Sequence, residues 1–281
     1  MLGIPAATPF DLNFRLLGIP VRISPWFWVV GLLFNLGPGV DLKFVLIWVG
    51  CVFVSILIHE LGHGLTAKFF GYRPFIVLHG MGGVCASEGE RQTFGQRLAV
   101  LIMGPCAQFL VLGGLFLYAW VAWKIGPFGD WYLIRMELGF PFKLPELIRP
   151  GSPYIPDLQR WFSLSDLTRF TFANLVRINF LWPLINLLPV WPLDGGQITQ
   201  TLLDRADPVH GPRRTHIIGM ITAGAIAVYL ASRLEGLGEM SGNMFPVIFF
   251  GYFGLINYQA LQAHHQHYVE NGPDDADWWK R

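Results

Sequence analysis

Long apolar runs separated by short polar segments set the pattern of this chain. Residues 44–58 contain no charge and lead directly into HELGHGLTAKFFG. Gly71 is a natural helix stop there, and Lys68 suits the last turn. Further apolar runs cover residues 92–123, with Gly104-Pro105 inside, and about 164–188, 215–233 and 245–265. The run at residues 26–40 is shorter and is interrupted by Gly37-Pro38-Gly39. At 1.5 Å per residue it covers about 22 Å, less than a hydrocarbon core of about 30 Å.

Two stretches follow a different rhythm. Residues 10–23 interleave Asn13 and Arg15 with apolar neighbours and break at Gly18, and residues 73–90 run FIVL, HGMGG, VCAS. Both predict strand–turn–strand hairpins, the second able to pair with the first. Residues 125–162 are polar, aromatic and proline-rich and predict the longest loop. The expected fold class is therefore an all-α multipass membrane protein with about six transmembrane helices and small β-hairpins at the cytoplasmic membrane surface. It forms one domain over residues 1–281. Its expected parts are N-terminal strands (1–24), two spans (25–71), a hairpin (72–91), a third span (92–124) and the loop (125–162). A fourth span follows (163–205), then two last spans (215–265) and a polar tail (266–281).

Composition agrees with this reading. Hydrophobic residues make up 53% of the chain and charged residues only 14%, against about 25% in soluble domains. The 20 basic and 19 acidic residues leave a net charge of +1 without a basic stripe, which excludes a nucleic-acid partner. Cys51, Cys85 and Cys106 are far apart and odd in number, so they read as small buried side chains rather than a disulfide framework. With the N-terminus in the cytoplasm, Arg15, Arg22, Lys68, Arg73, Arg91, Arg97, Arg205, Arg213, Arg214, Lys280 and Arg281 fall inside; the short outer loops hold only Lys43 and Arg233, and the long loop adds Lys124, Arg135, Lys143, Arg149 and Arg160, which weakens the contrast. That asymmetry fits the positive-inside rule.

The chemistry concentrates in His59-Glu60-Leu61-Gly62-His63. Residues four apart share one helix face, so both imidazoles can hold one zinc ion, with Glu60 beside them as general base. About 15 apolar residues precede His59, which places three ionisable groups at membrane depth, where they need a partner or a cavity. A catalytic zinc needs a third protein ligand. Asp194 is the candidate, in the stretch NLLPVWPLDGG. Pro189 and Pro192 end the preceding helix, and Gly195-Gly196 permit the tight turn that would aim the carboxylate inward. Asp194 as the N-cap of a short following helix is the competing local reading.

Taken together, HELGH on the second span and N-x-x-P-x-x-P-L-D-G-G after the fourth resemble the site-2 protease family of intramembrane zinc metalloproteases. The resemblance extends from the N-terminal LLGIPVRI through the GP-containing third helix to LDGG. It implies one zinc per chain held by His59, His63 and Asp194, with Glu60 as base and then acid. It also implies that Asn186 holds the substrate backbone or stabilises the oxyanion. The implied partners are the lipid bilayer and a membrane-anchored protein substrate, in a bacterial or archaeal cell membrane, with the site near the cytoplasmic face. Many members carry asparagine where this chain has Gln108, and Trp191 is a bulky residue next to the site.

The competing function class is a non-catalytic zinc-binding membrane protein, structural or transporting, in which a fourth ligand such as His79 closes the site. His79 otherwise reads as a turn histidine, and His264, His265 and His267 as a solvated helix end. Arg177 lies inside the fourth span, where it would snorkel or pair.

Overall fold

A computed structural model describes residues 5–33, 41–88, 92–125, 155–233 and 240–271. Gly37-Pro38-Gly39, most of the expected 125–162 loop and the tail beyond residue 271 lie outside the described residues. The described elements run β1 (Leu12–Leu16), β2 (Ile19–Ile23), α1 (Pro25–Leu33), α2 (Leu42–Phe69), β3 (Arg73–His79), β4 (Gly82–Glu88) and α3 (Phe94–Trp123). They continue with α4 (Ile155–Ser163), α5 (Asp166–Asn186), α6 (Asp194–Ala206), α7 (Gly211–Ala231) and α8 (Met240–Asn271).

The two expected hairpins form and join into one sheet of order β1-β2-β3-β4. Its pairings are antiparallel, parallel and antiparallel, with Val21 opposite Ile76 and Ile76 opposite Cys85. Leu17 and Gly18 link β1 to β2 with φ of 52° and 77°, the two positive values that suit a tight hairpin to the twist of its strands.

Among the described residues, α2, α3 and α7 are long and apolar enough to cross a membrane. Helix α5 has the 21 residues of α7 but carries Asp166, Arg169 and Arg177, so it does not match them in composition. The described part of helix α1 has nine residues, about 14 Å of rise, less than a hydrocarbon core of about 30 Å. The expected loop is corrected at its end. Residues Ile155–Ser163 are helical, because Trp161 buries among Leu112, Ala119, Ile125, Phe172 and Val176. Arg177 is exposed, and Cys85 and Cys106 are only half-buried, unlike Cys51.

The chain divides into two compact units, Met1–Arg91 with Met103–Pro183, and Gln92–Ile102 with Leu184–Arg281. In the first, one face of the sheet (Ile19, Val21, Ile23, Ile76, Leu78) packs with Ile56 and Leu57 of α2 and Phe27 of α1. This packing fixes β3 and β4 beside the HELGH turn. In the second, Val190, Leu193, Ala223, Phe249, Phe250, Phe253 and Ile256 form the core.

Candidate metal centre

Helix α2 runs unbroken through HELGH, so its four-residue spacing stacks His59 and His63 on one face. Their ring centroids are 4.8 Å apart and their Nε2 atoms 3.1 Å apart. Two nitrogens on one tetrahedral zinc, each at 2.0–2.1 Å, stand about 3.3 Å from one another. The pair therefore fits a zinc ion with almost no adjustment. His59, Glu60 and His63 are all buried, as ionisable groups with a specific task at membrane depth are expected to be.

Close passage of α3 across α2 shapes this face. A Cβ at Gly62 would collide with the Met103 carbonyl and stand 3.0 Å from Cβ of Ala107. A Cβ at Gly104 would run into the His63 ring, 2.8 Å from Cδ2 and closer still to Nε2. Small residues on facing helices allow such an approach in a membrane. One turn beyond Gly104, Gln108 places Oε1 2.9 Å from His59 Nδ1 and donates from Nε2 to the Ser55 carbonyl at 3.3 Å. On the sheet side, a Cβ at Gly83 of β4 would stand 2.5 Å from Glu60 Oε1. The strand backbone thus lies directly against the Glu60 carboxyl.

Asp194 belongs to the second unit. It is the first residue of α6, and Leu193 takes the cap position without a side-chain bond, so the N-cap reading of Asp194 is corrected. A carboxylate in a first helical turn is favoured by the helix dipole. Residues 187–193 fold back over that turn. Leu193 N donates to the Val190 carbonyl at 2.9 Å, and Gln197 Nε2 to the Pro192 carbonyl at 3.1 Å. A Cβ at Gly195 would collide with the Leu187 carbonyl, so only glycine fits. Trp191 packs its ring 5.7 Å from that of His216, and its carbonyl accepts from Asn257 Nδ2 at 2.6 Å. Asn186, the last residue of α5, is buried.

Within the first unit His59 and His63 form one ligand group, their Nε2 atoms 3.1 Å apart; Asp194, in the second unit, is buried. His79 stands outside this group. Its Nδ1 accepts from Met81 N at 3.3 Å within its own turn, and burial pushes its imidazole below the ordinary value. The side chains of His264, His265 and His267 lie outside the described residues. One contributor, Asn257, is not singled out by sequence reasoning. Gly104 and Gln108 carry a detectable signal, since they are four apart on α3 as His59 and His63 are on α2. Asn257 carries none, because a single asparagine in an apolar helix matches no motif.

Known proteins resemble this chain over most of its length. It is 27% identical over 202 residues to Stage IV sporulation protein FB of Bacillus subtilis, covering 71% of this chain and 53% of that protein. It is 26% identical over 250 residues to a zinc metalloprotease of Methanocaldococcus jannaschii, covering 86% and 58% respectively. The chain thus spans a little over half the length of these curated relatives. The solved structure of the site-2 protease from Methanocaldococcus jannaschii is 19% identical, covers 90% of this chain and 95% of that one, and superposes with a TM-score of 0.48. The model of peptidase family M50 matches residues 47–230, about two thirds of the chain and the part that holds HELGH and LDGG, so the chain belongs to peptidase family M50, the site-2 protease family.

Proposed function

We propose that this chain is an intramembrane zinc metalloendopeptidase that hydrolyses peptide bonds of membrane-anchored proteins. The observation that carries the reading is the convergence of the His59 and His63 Nε2 atoms at 3.1 Å on a buried helix face next to Glu60. Family membership and the names of the relatives support it.

In this reading His59, His63 and Asp194 hold one zinc ion per chain. Zinc, when bound, supplies Lewis-acid polarisation of the scissile carbonyl and makes the attacking water more acidic. Glu60 takes the proton from that water and returns it to the leaving amine. Asn186 hydrogen-bonds the substrate backbone or the developing oxyanion. A helical substrate hides its carbonyls in hydrogen bonds, so the segment to be cut unwinds first. As an edge strand of the sheet, β4 offers backbone groups to which such a segment can add.

The membrane arrangement in this proposal is multipass with about six spans, in a bacterial or archaeal cell membrane. The site lies near the cytoplasmic face, supported by the basic residues on that side. The test is cleavage of a tagged single-span membrane protein by the purified chain in proteoliposomes. Cleavage lost on treatment with a zinc chelator and regained on zinc addition supports the reading. Cleavage indifferent to the chelator rejects it.

A further inference from the structure

Behind the metal-facing nitrogens, a chain of buried polar groups crosses three helices. Asn179 of α5 donates from Nδ2 to Ser55 Oγ of α2 at 2.9 Å and to the Leu175 carbonyl at 2.8 Å. The Ser55 carbonyl accepts from Gln108 Nε2 of α3 at 3.3 Å, and Gln108 Oε1 faces His59 Nδ1 at 2.9 Å. Ser55, Gln108 and Asn179 are each 0% exposed. Buried amides in an apolar surround are costly unless their groups are matched, so this alignment has a definite direction.

The direction can be read from the chemistry of each link. A carbonyl only accepts, so the Gln108 group that meets the Ser55 carbonyl is its NH2. Its oxygen is thereby turned toward His59. An amide oxygen also only accepts, so His59 Nδ1 carries the proton and Nε2 keeps its lone pair. That lone pair is on the side where His63 Nε2 converges. We propose that Gln108 is a positioning residue that fixes the tautomer and ring orientation of His59 for metal binding, with the Ser55 carbonyl holding the Gln108 amide in the one orientation that does so. The proposal rests on the zinc reading above, and it adds a residue outside both metal-binding motifs. Outer partners of ligating histidines commonly change metal affinity by about 10–100-fold when removed.

The experiment measures zinc affinity of the full chain in detergent micelles by competition with a chromogenic chelator, for the wild type and the Gln108→Leu and Gln108→Glu variants. Absorption spectra of the cobalt-loaded proteins are recorded in parallel, and unfolding of the metal-free proteins reports on their folding. In its neutral form the side chain of Gln108→Glu reproduces both hydrogen bonds, with the carbonyl accepting from His59 and the hydroxyl donating to Ser55. Gln108→Leu is expected to weaken zinc binding about 10–100-fold and to shift the cobalt bands. Gln108→Glu is expected to restore both toward wild type.

Equal affinities for wild type and Gln108→Leu overturn the proposal. So does a Gln108→Glu variant as weak as Gln108→Leu, which would assign Gln108 to packing alone. If Gln108→Leu does not fold, Gln108→Asn takes its place, since the shortened amide cannot reach both partners. Wild-type affinity for zinc in Gln108→Asn then overturns the proposal. A wild type that binds no zinc overturns the zinc reading itself, which separates the two failures.

Discussion

Gly83 of β4 lies against Glu60 of α2 with no room for a side chain between them, because a Cβ would stand 2.5 Å from Oε1 and from Cγ of the glutamate. The edge strand of the sheet therefore sets the position of the proposed general base. Gly83→Ala pushes the buried Glu60 carboxyl away from its place. Since Glu60 is not a proposed ligand, cleavage of a tagged substrate is expected to fall at least tenfold while zinc content stays near one per chain. Unchanged turnover would show that Glu60 acts from another position.

Gly104 makes the matching test for the metal. Its missing Cβ leaves the space that the His63 ring occupies, whereas Gly113 and Gly114 on the same helix have nothing within 4 Å. Gly104→Ala is expected to weaken zinc affinity by at least tenfold, as for other displaced ligand supports. Gly113→Ala and Gly114→Ala are expected to leave it unchanged. Chelator competition on the three variants checks the contrast.

Asn257 tests the second unit. Its amide donates to the Trp191 and Phe253 carbonyls at 2.6 and 2.8 Å, and its oxygen stands 3.2 Å from His216 Nδ1. It is fully buried. Truncation to alanine strips partners from buried groups, each such loss costing about 1–3 kcal/mol. Asn257→Ala is expected to lower the Tm of the detergent-solubilised chain by several degrees and to loosen the turn that carries Asp194. A Tm equal to wild type would show that these bonds contribute nothing net.

His79 predicts a pH dependence. Burial holds its imidazole below the ordinary value of about 6.5, and Nε2 is buried with no hydrogen-bond partner. The folded state therefore favours the neutral ring, and the unfolded chain takes up its proton first as pH falls. The contribution to stability is fully present above the ordinary value and is lost as pH drops toward the folded value. Metal-free protein is expected to melt at a lower temperature at pH 5 than at pH 7, and His79→Gln is expected to narrow that gap. A gap of the same size in the variant would assign it to other groups.

How much of this was legible in the sequence depends on the range of the interaction. The HELGH face, the two hairpins and the α2 boundary near Gly71 follow from periods of 3.6 and 2 and from local stops, and the structure has them. The second hairpin reads as able to pair with the first, and the structure joins them through β2 and β3. Helix α4 was hidden because Trp161 is buried by residues of α3 and α5, which no local pattern around it announces. Asp194 was visible as a candidate, but its place inside α6 rather than at the cap depends on the fold of residues 187–193. Gln108 was visible only as a departure from the family pattern. Its reach to His59 depends on how closely α3 passes α2, which Gly62 and Gly104 permit.

The central claim, zinc-dependent hydrolysis with Glu60 moving the proton, is tested most directly by zinc content and cleavage measured on one preparation of Glu60→Gln. Glu60→Gln is expected to hold about one zinc per chain, as in wild type, with cleavage of the tagged single-span substrate reduced about 10²–10⁴-fold. Cleavage at the wild-type rate by the zinc-loaded variant would contradict that claim.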